Sequence, residues 1–255
     1  MILQDNAQGN YQFLTGIAPY SCGVRAMPGF EIIRVEMSIP TVLDEQAFDR
    51  ISEYLINHDR TIHALCAMEL RIPKPLSFDG FAAFNKGYQD MLAERGLLLG
   101  DVNPIARTNI SPSEYQIAQP SIYAFSYTIP VKDDSLGPTF IVAGAGDLAD
   151  QTDLSVSAIV RPGETSAEAR REKIKVVMDV MADRLTGLKT GWENVTSTSI
   201  YTTIPMGPLI VDSVLGPSGS PALKGVVWYY SNPPIQGLDY EMDVRGVRKE
   251  LVIDL

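Results

Sequence analysis

The sequence predicts an α+β protein made of two similar halves, each a mixed β-sheet with helices packed on one of its faces. Strand patterns and helical patterns alternate along the 255 residues of the chain. The order of elements starts again after the polar segment 132–138, which contains Gly and Pro. Each half also contains a strand pattern that closes on Ile-Pro, at Ile72-Pro73 and at Ile204-Pro205. We therefore expect two halves, residues 1–132 and 133–255.

The composition is that of a globular protein with a substantial core, since 45% of the residues are hydrophobic and 20% are charged. The formal net charge of -10 argues against a nucleic-acid-binding surface, because phosphate binding needs clustered Lys and Arg. No apolar stretch has the length that spans a bilayer, and the N-terminal residues lack a signal-peptide pattern. Cys22 and Cys66 are too few for a disulfide framework. We expect a cytoplasmic protein.

The first half contains two amphipathic helical patterns between strand patterns. Asp44 begins the first of them, and Phe48, Ile51 and Leu55 recur behind it at helical spacing. Gly96 is the stop signal of the second. The predicted elements, in chain order, are a strand at 30–37, a helix at 44–57, a strand at 62–72, a helix at 81–94, and a pair of strands at 105–110 and 121–127.

The second half contains the strongest helical pattern of the sequence. Its apolar stripe consists of Ile174, Val177, Met178, Met181 and Leu185. The predicted elements, in chain order, are strands at 139–144 and 154–160, a helix at 164–185, a strand at 195–204, and a last pair of strands at 225–230 and 238–253. A Gly/Pro/Ser stretch at 216–221 precedes that last pair.

Arg107 is conspicuous because it interrupts the otherwise apolar strand pattern at 105–110. Two interpretations fit an arginine in this setting. Its side chain either reaches solvent at the edge of the sheet, or aims its planar fork of donors into a pocket for a carboxylate or phosphate. The residue pattern alone leaves both interpretations open.

Five short stretches carry a resemblance to a known family. In chain order they are 18–24 (Ala-Pro-Tyr-Ser, then Gly-Val), 84–88 (Phe-Asn, then Tyr), 105–108 (Ile-Ala-Arg-Thr), 142–144 (Val-Ala-Gly) and 238–243 (Leu-Asp-Tyr-Glu-Met-Asp). Together they resemble the RidA (YjgF) family of enamine and imine deaminases, in a tandem version. The resemblance covers nearly the whole chain and implies a chorismate-mutase-like fold for each half.

The resemblance also implies an activity and a role for several residues. The expected activity is hydrolysis of the C–N bond of a small conjugated enamine or imine that carries a carboxylate, such as an aminomuconate-type intermediate of aromatic catabolism, with release of ammonia. Arg107 would hold the carboxylate, and Glu241 would activate water or transfer a proton. Asn109 stands where these deaminases usually have cysteine, and we expect it to act as a hydrogen-bonding partner. A cation that fixes the acid and a carboxylate beside the imine carbon suit this chemistry.

The two halves depart from the family pattern in complementary ways. In the first half, Ile122 or Tyr123 stands where the glutamate belongs. In the second half, the strand that should carry the arginine has the sequence Gly-Val-Val-Trp at 225–228. Two interpretations stay open: Arg107 and Glu241 complete one pocket from different halves or different chains, or one half has become a scaffold.

Further side chains are candidates for the wall of such a pocket. Tyr20 and Ser21 belong to the first matching stretch, and Gly144 belongs to the Val-Ala-Gly stretch. Trp228 and Tyr230 are aromatic residues that suit a flat conjugated ligand, although aromatic residues of strands are more often part of the core. We expect all five to contribute to substrate binding.

The remaining expectations concern cofactors, partners and alternative functions. No cofactor or metal is expected, because His58 and His63 form no ligand cluster with the cysteines and no glycine-rich phosphate loop is present. The resemblance implies a homotrimer. Two alternatives to the deaminase are a chorismatase-like activity on a cyclic enol ether with carboxylates, and a binding protein that kept Arg107 without catalysis. The position of Glu241 relative to Arg107 discriminates between catalysis and binding alone.

Overall fold

The structure, a computed structural model, describes residues 1–16, 19–133 and 135–255. Ala18 of the first matching stretch and Asp134 of the predicted boundary segment lie outside the described residues. The helices are α1 (Glu45–Ile56), α2 (Phe78–Glu94) and α3 (Ala167–Gly187), and short helical turns follow at 207–224. The strands are β1 (Leu3–Asn6), β2 (Tyr11–Leu14), β3 (Gly23–Ala26), β4 (Phe30–Val42), β5 (Leu65–Arg71), β6 (Ala106–Pro112), β7 (Ser121–Pro130), β8 (Phe140–Gly146), β9 (Ser197–Tyr201), β10 (Val227–Tyr229), β11 (Ser231–Asn232), β12 (Glu241–Gly246) and β13 (Glu250–Ile253).

The strands of the described residues join into two mixed sheets. One has the order β1-β2-β3-β8-β12-β9-β10, and the other has the order β11-β6-β5-β7-β4-β13. Parallel pairs, such as β5 with β6 and β9 with β10, occur beside antiparallel pairs in both sheets. The predicted α+β class with mixed sheets is confirmed at this level.

Each sheet contains a four-strand unit of the same topology. The units are β4-β7-β5-β6 and β8-β12-β9-β10. In both, the first two pairings are antiparallel and the third is parallel. The connections also match, because α1 and α3 each link the first strand of a unit to its third, and α2 and the turns at 207–224 each precede the fourth.

Helices lie on the outside, and the two sheets pack against each other on the inside. Val177, Met181 and Leu185 of α3 form one core with Phe140 and Val142 of the seven-stranded sheet. A second core joins α1 and α2 to the six-stranded sheet. The third lies between the sheets and contains, among others, Phe13, Val24, Cys66, Ala106 and Ala143. Burial of apolar side chains on both faces of each sheet stabilises this layered arrangement.

The predicted helices begin where a side chain caps the first turn. Asp44 accepts a hydrogen bond from the backbone N–H of Ala47, as its position at a helix start predicts. α2 begins three residues earlier than predicted because Ser77 caps it. α3 begins three residues later than predicted because its cap is Ser166.

Two strand predictions need correction. Residues 154–160 contain a short 3-10 turn, Val156–Ala158, and no strand of the described sheets, because this segment makes only an isolated bridge, between Ile159 and Leu148. The strands around Arg107, β6 and β7, are not neighbours. β5 lies between them, parallel to β6 and antiparallel to β7.

Strands from the two ends of the chain are exchanged between the sheets. The N-terminal strand β3 pairs with β8, so β1, β2 and β3 belong to the sheet that carries the second four-strand unit. The C-terminal strand β13 pairs with β4 in the sheet that carries the first unit. Each sheet therefore combines strands from both sides of residue 132. The division of the chain into two halves at this residue stays a prediction.

Candidate active site

A cavity of about 320 Å³ lies where the two sheets approach each other. β6 contributes Arg107 and Asn109 from the six-stranded sheet. β8 and β12 contribute Gly144 and Glu241 from the seven-stranded sheet. The structure thus brings the predicted cation and the predicted carboxyl group to one cavity within a single chain.

Arg107 is buried, which excludes the interpretation that its side chain reaches solvent. Its Nη2 atom donates to Oδ1 of Asn85 on α2 at 2.5 Å. Four aromatic rings surround the guanidinium at centroid distances of 4.7 to 5.7 Å; they belong to Tyr20, Tyr88, Phe84 and Phe81. Among the described residues, Nε and Nη1 of Arg107 have no hydrogen-bond partner. Buried, unpaired guanidinium donors are suited to bind a carboxylate.

Glu241 begins β12 and is also buried. Burial is the main cause that raises the pKa of Glu241 well above its ordinary value of 4.5, and the carboxyl of Asp243 adds to it. The positive charges of Arg107 and Arg184 act in the opposite direction. Glu241 therefore keeps its proton at pH values at which a carboxyl in water is ionised.

Gly144 makes the close approach of these elements possible. A Cβ atom at this position would lie 2.4 Å from Oε1 of Glu241 and 3.3 Å from the Cα atom of Thr108. Any larger residue would therefore displace the Glu241 carboxyl or separate β8 from β6. A strand glycine at a point of close backbone approach has this role in many sites.

Asn109 and Tyr20 complete the polar part of the wall. The side-chain amide of Asn109 is buried, and neither its Oδ1 nor its Nδ2 has a hydrogen-bond partner among the described residues. A buried amide of this kind can hold a water molecule or a polar group of a ligand. Burial raises the pKa of Tyr20, so its phenol stays neutral beside Arg107.

Three other predicted site residues lie elsewhere. Ser21 is buried behind the wall, and its backbone N–H donates to the carbonyl oxygen of Ile105. Trp228 and Tyr230 are 42% and 54% exposed, at the far edge of the seven-stranded sheet. The indole of Trp228 donates to the carbonyl oxygen of Thr202. None of these three residues lines this cavity.

The remaining wall is mostly apolar. Phe81, Leu148, Ile235 and Leu238 belong to a small hydrophobic cluster beside the cavity. The sequence does not mark these residues as a pocket wall, because apolar side chains at the start of a helix or in loops carry no pattern that distinguishes a pocket from a core. An apolar wall with a few convergent polar groups is typical of a site for a small organic ligand.

Two charged residues behind the wall were also missed. Arg184 of α3 donates from Nη1 to the carbonyl oxygens of Ala143 and Gly144, at 2.8 and 3.1 Å. Asp147 accepts through Oδ1 from the backbone N–H groups of Asp239 and Tyr240, at 3.0 and 3.2 Å. Both side chains hold the strands on which Gly144 and Glu241 lie.

The fold and the cavity define a class of protein: two facing mixed sheets with a buried cavity between them, lined by one arginine and one carboxyl group. A solved structure of a chorismatase has this fold. The match covers 95% of this chain and 78% of the chorismatase chain, with a TM-score of 0.51 and 12% sequence identity. At that identity the likeness concerns the fold alone.

The chain belongs to the 2-aminomuconate deaminase CnbZ family, whose family model matches residues 3–251. The 2-amino-5-chloromuconate deaminase of Comamonas testosteroni is 40% identical to it over 245 residues, which are 96% of this chain and 96% of the relative. The 2-aminomuconate deaminase family is thus established, whereas the resemblance to the RidA family stays a prediction. Among the described residues, no helix is both long and apolar enough to cross a membrane.

Proposed function

We propose that this protein is a deaminase that hydrolyses the C–N bond of 2-aminomuconate or a close analogue and releases ammonia. The proposal is supported by membership of the CnbZ family and by the similarity to the Comamonas testosteroni deaminase. The observation that carries it is the meeting of Arg107 and Glu241 in one buried cavity.

Substrate binding begins with Arg107. Its unpaired donors bind a carboxylate, and the desolvated surroundings strengthen that charge-assisted contact. The aromatic rings around the guanidinium hold it in place and offer a flat surface to a conjugated chain. The amino-bearing carbon next to the bound carboxylate is thereby directed toward Glu241 and Asn109.

Hydrolysis then uses Glu241 as an acid and afterwards as a base. The enamine first shifts a proton to carbon and becomes the imine. Protonated Glu241 donates its proton to the imine nitrogen, and water adds to the carbon while the resulting carboxylate accepts a proton from that water. Glu241 passes that proton to the amine. As ammonia leaves, the hydroxyl group returns its proton to the Glu241 carboxylate and the carbon becomes a carbonyl, which restores protonated Glu241. One water is consumed and one ammonia is released, and the product is a 2-oxo acid.

Asn109 orients the water in this scheme. Its amide has a free donor and a free acceptor, so it can hold a water molecule through one and a polar substrate atom through the other. This role replaces the cysteine that the resembled deaminases carry at the corresponding position.

We also infer that the two four-strand units descend from one duplicated RidA-like half. Equal strand order, equal strand directions and equivalent helical connections in the two sheets support this inference. Arg107 lies in the first unit and Glu241 in the second, so each unit supplies one of the two groups that the reaction needs.

The experiment is a turnover assay on the purified protein. Ammonia release and the ultraviolet loss of the conjugated chain are followed with 2-aminomuconate, 2-aminoacrylate and chorismate. Arg107→Met is expected to lower kcat/KM at least about 100-fold, since a buried charge-assisted contact is lost. Glu241→Gln is expected to lower kcat by about 100- to 10,000-fold, as the loss of a general acid–base group does.

Lys86→Met is the matched control, because Lys86 lies next to Asn85 on α2 and its side chain is exposed and paired with Asp90. It removes one positive charge without touching the cavity and is expected to leave turnover unchanged. Binding of 2-aminomuconate without ammonia release by the wild type would overturn the enzyme proposal. Turnover of chorismate in its place would assign the alternative activity.

A further inference from the structure

Arg184 is a second buried arginine near the cavity. Its side chain is 1% exposed, although it lies on α3, whose other face is solvated. Nη1 is occupied by the carbonyl oxygens of Ala143 and Gly144. Nη2 has no hydrogen-bond partner among the described residues. A buried guanidinium donor without a partner is costly, and its presence points to a ligand group that completes it.

The side chain of Arg184 lines a second cavity of about 190 Å³. Gly16, Gln151 and Thr152 line this cavity and the larger one as well, so the two cavities adjoin along a shared wall. The larger cavity holds Arg107, and the smaller one holds Arg184. An elongated ligand that enters both would have a cation at each end.

The charges around the two cavities favour a ligand with two negative groups. Arg107 and Arg184 both lower the pKa of Glu241 and of Tyr20, which shows that both cations act on the same region. Glu241 nevertheless keeps its proton through burial and therefore does not neutralise them. Asp183, at the exposed rim of the smaller cavity, is the acid that a second anionic group would pass.

We propose that Arg184 forms a second carboxylate subsite, so that the site selects dicarboxylates that extend from Arg107 to Arg184. This inference rests on the proposed function and narrows its substrate class. 2-Aminomuconate fits it, because its six-carbon chain ends in a carboxylate on each side, with a conjugated diene between the two. Arg184 then has two tasks: Nη1 holds the backbone of β8, and Nη2 contacts the second carboxylate.

The test compares two ligands that cannot be deaminated. trans,trans-Muconate and sorbate both have a six-carbon chain with a conjugated diene at its centre. Muconate has a carboxylate at each end, whereas sorbate has a carboxylate at one end and a methyl group at the other. Their dissociation constants are measured by calorimetry on the wild type, Arg184→Met and Arg184→Lys. Wild type is expected to bind muconate about 10- to 100-fold more tightly than sorbate, the range of one charge-assisted contact.

Arg184→Met is expected to lower muconate affinity about 10- to 100-fold and to leave sorbate affinity within about twofold, while Arg184→Lys recovers part of the loss. Lys175→Met, which removes an exposed positive charge of the same helix, is the control and is expected to change neither. Equal losses for both ligands in Arg184→Met would overturn the inference, since a role confined to β8 affects both alike. Equal affinity of the wild type for both ligands would overturn it without any variant.

The outcome is independent of turnover. Arg184-dependent binding of muconate with no ammonia release from 2-aminomuconate would contradict the proposed function and leave a dicarboxylate-binding site. Turnover of 2-aminomuconate with no preference for muconate over sorbate would support the deaminase and contradict the second subsite.

Discussion

Glu241 has a different acid strength in this protein from that of a glutamate in water, and the cause is its position. Burial and the neighbouring Asp243 carboxyl favour the neutral form of Glu241 and raise its pKa, and the positive charges of Arg107 and Arg184 offset this only in part. The folded protein therefore binds the Glu241 proton more tightly than the unfolded chain does. The free energy of unfolding gains from this group below pH 4.5 and loses the gain as the pH rises through the folded-state pKa.

The raised pKa of Glu241 predicts how pH changes the kcat/KM of the wild type and the stability of Glu241→Gln relative to the wild type. The kcat/KM of the wild type is expected to fall as the pH rises through the pKa of Glu241, because the proton donor is lost. Glu241→Gln stays neutral at every pH, so its free energy of unfolding is expected to rise relative to the wild type between pH 5 and pH 8. Urea denaturation at four pH values in that range measures the difference.

Glu164→Gln is the control for this prediction. Glu164 is exposed, and its hydrogen bond from Arg161 lowers its pKa, so its shift has the opposite sign. Its replacement is expected to bring no gain in stability as the pH rises. A difference between the wild type and Glu241→Gln that stays constant from pH 5 to pH 8 would show that Glu241 titrates normally.

At the scale of residues, the sequence identified those site residues that lie in a short family motif or that differ sharply from their neighbours in the chain. Arg107 stood out in an apolar strand, and Glu241 followed from the resemblance of its strand. The sequence gives little sign of the buried Arg184 and Lys173, because α3 carries many charged residues that face solvent. Their spacing from Val177 was the available signal, since residues at i+7 and i−4 share its buried side.

The elements β8 and β12 are held together by a buried ionic group at their ends. Asp147, which follows β8, accepts from the two backbone N–H groups that precede Glu241. Lys173 of α3 contacts Asp147 at 3.6 Å and donates to Asp239. Burial raises the pKa of Asp147 to about 6, against the effect of its hydrogen bonds and of Lys173. The position of Glu241 thus depends on a helix that contributes no residue to the wall of the larger cavity.

Lys173→Met is expected to destabilise the protein by about 3 kcal/mol at pH 8, because it leaves the Asp147 carboxylate buried without its cation. The cost is expected to be smaller at pH 5, where Asp147 is protonated and needs no partner. Urea denaturation at both pH values measures it, and kcat is expected to fall as the start of β12 loosens.

The double variant Lys173→Met/Asp147→Asn is expected to recover part of the stability at pH 8, since it also removes the unpaired charge. Lys175→Met, on the exposed side of α3, should change the free energy of unfolding by less than about 0.5 kcal/mol. A cost for Lys173→Met that is equal at pH 5 and pH 8 would contradict the role of the Asp147 charge.

At the scale of elements, helices were predicted better than strands. Apolar spacing and caps such as Asp44 locate a helix from its own sequence, and the structure confirms the three long helices with bounds shifted by no more than about three residues. A strand forms only when it pairs with another strand, and its own sequence does not show which strand that is. The apolar residues at 154–160 therefore suggested a strand, although Ile159 makes only an isolated bridge with Leu148.

At the scale of the whole molecule, the pairing of strands was again the part that the sequence did not predict. The repeated order of elements was visible in the sequence, but the exchange of β3 and β13 between the sheets was not. Period-two patterns state which face of a strand is buried and leave its neighbour open. The meeting of Arg107 and Glu241 depends on this pairing, because the two sheets must face each other for β6 to approach β8 and β12.

The edges of the finished sheets predict how the molecule assembles. β13 is an edge strand, and its Val252 side chain is 69% exposed next to Leu251. An open strand edge with apolar side chains associates with another chain unless something covers it. We therefore expect a homo-oligomer that covers β13 with a second copy of the chain, and the resemblance to RidA implies that three copies assemble.

Val252→Lys is expected to dissociate this assembly, because it places a charge in the covered edge. Light scattering coupled to size exclusion measures the mass, which should be three times 28.0 kDa for the wild type and 28.0 kDa for the variant. Leu223→Lys is the control, since Leu223 is 92% exposed but lies in the helical turns and on no strand edge. Its mass should equal that of the wild type.

A monomeric wild type would contradict the expected assembly, and a dimer would contradict the trimer. Because Arg107 and Glu241 meet within one chain, dissociated Val252→Lys should keep its turnover, whereas a site shared between chains would lose it.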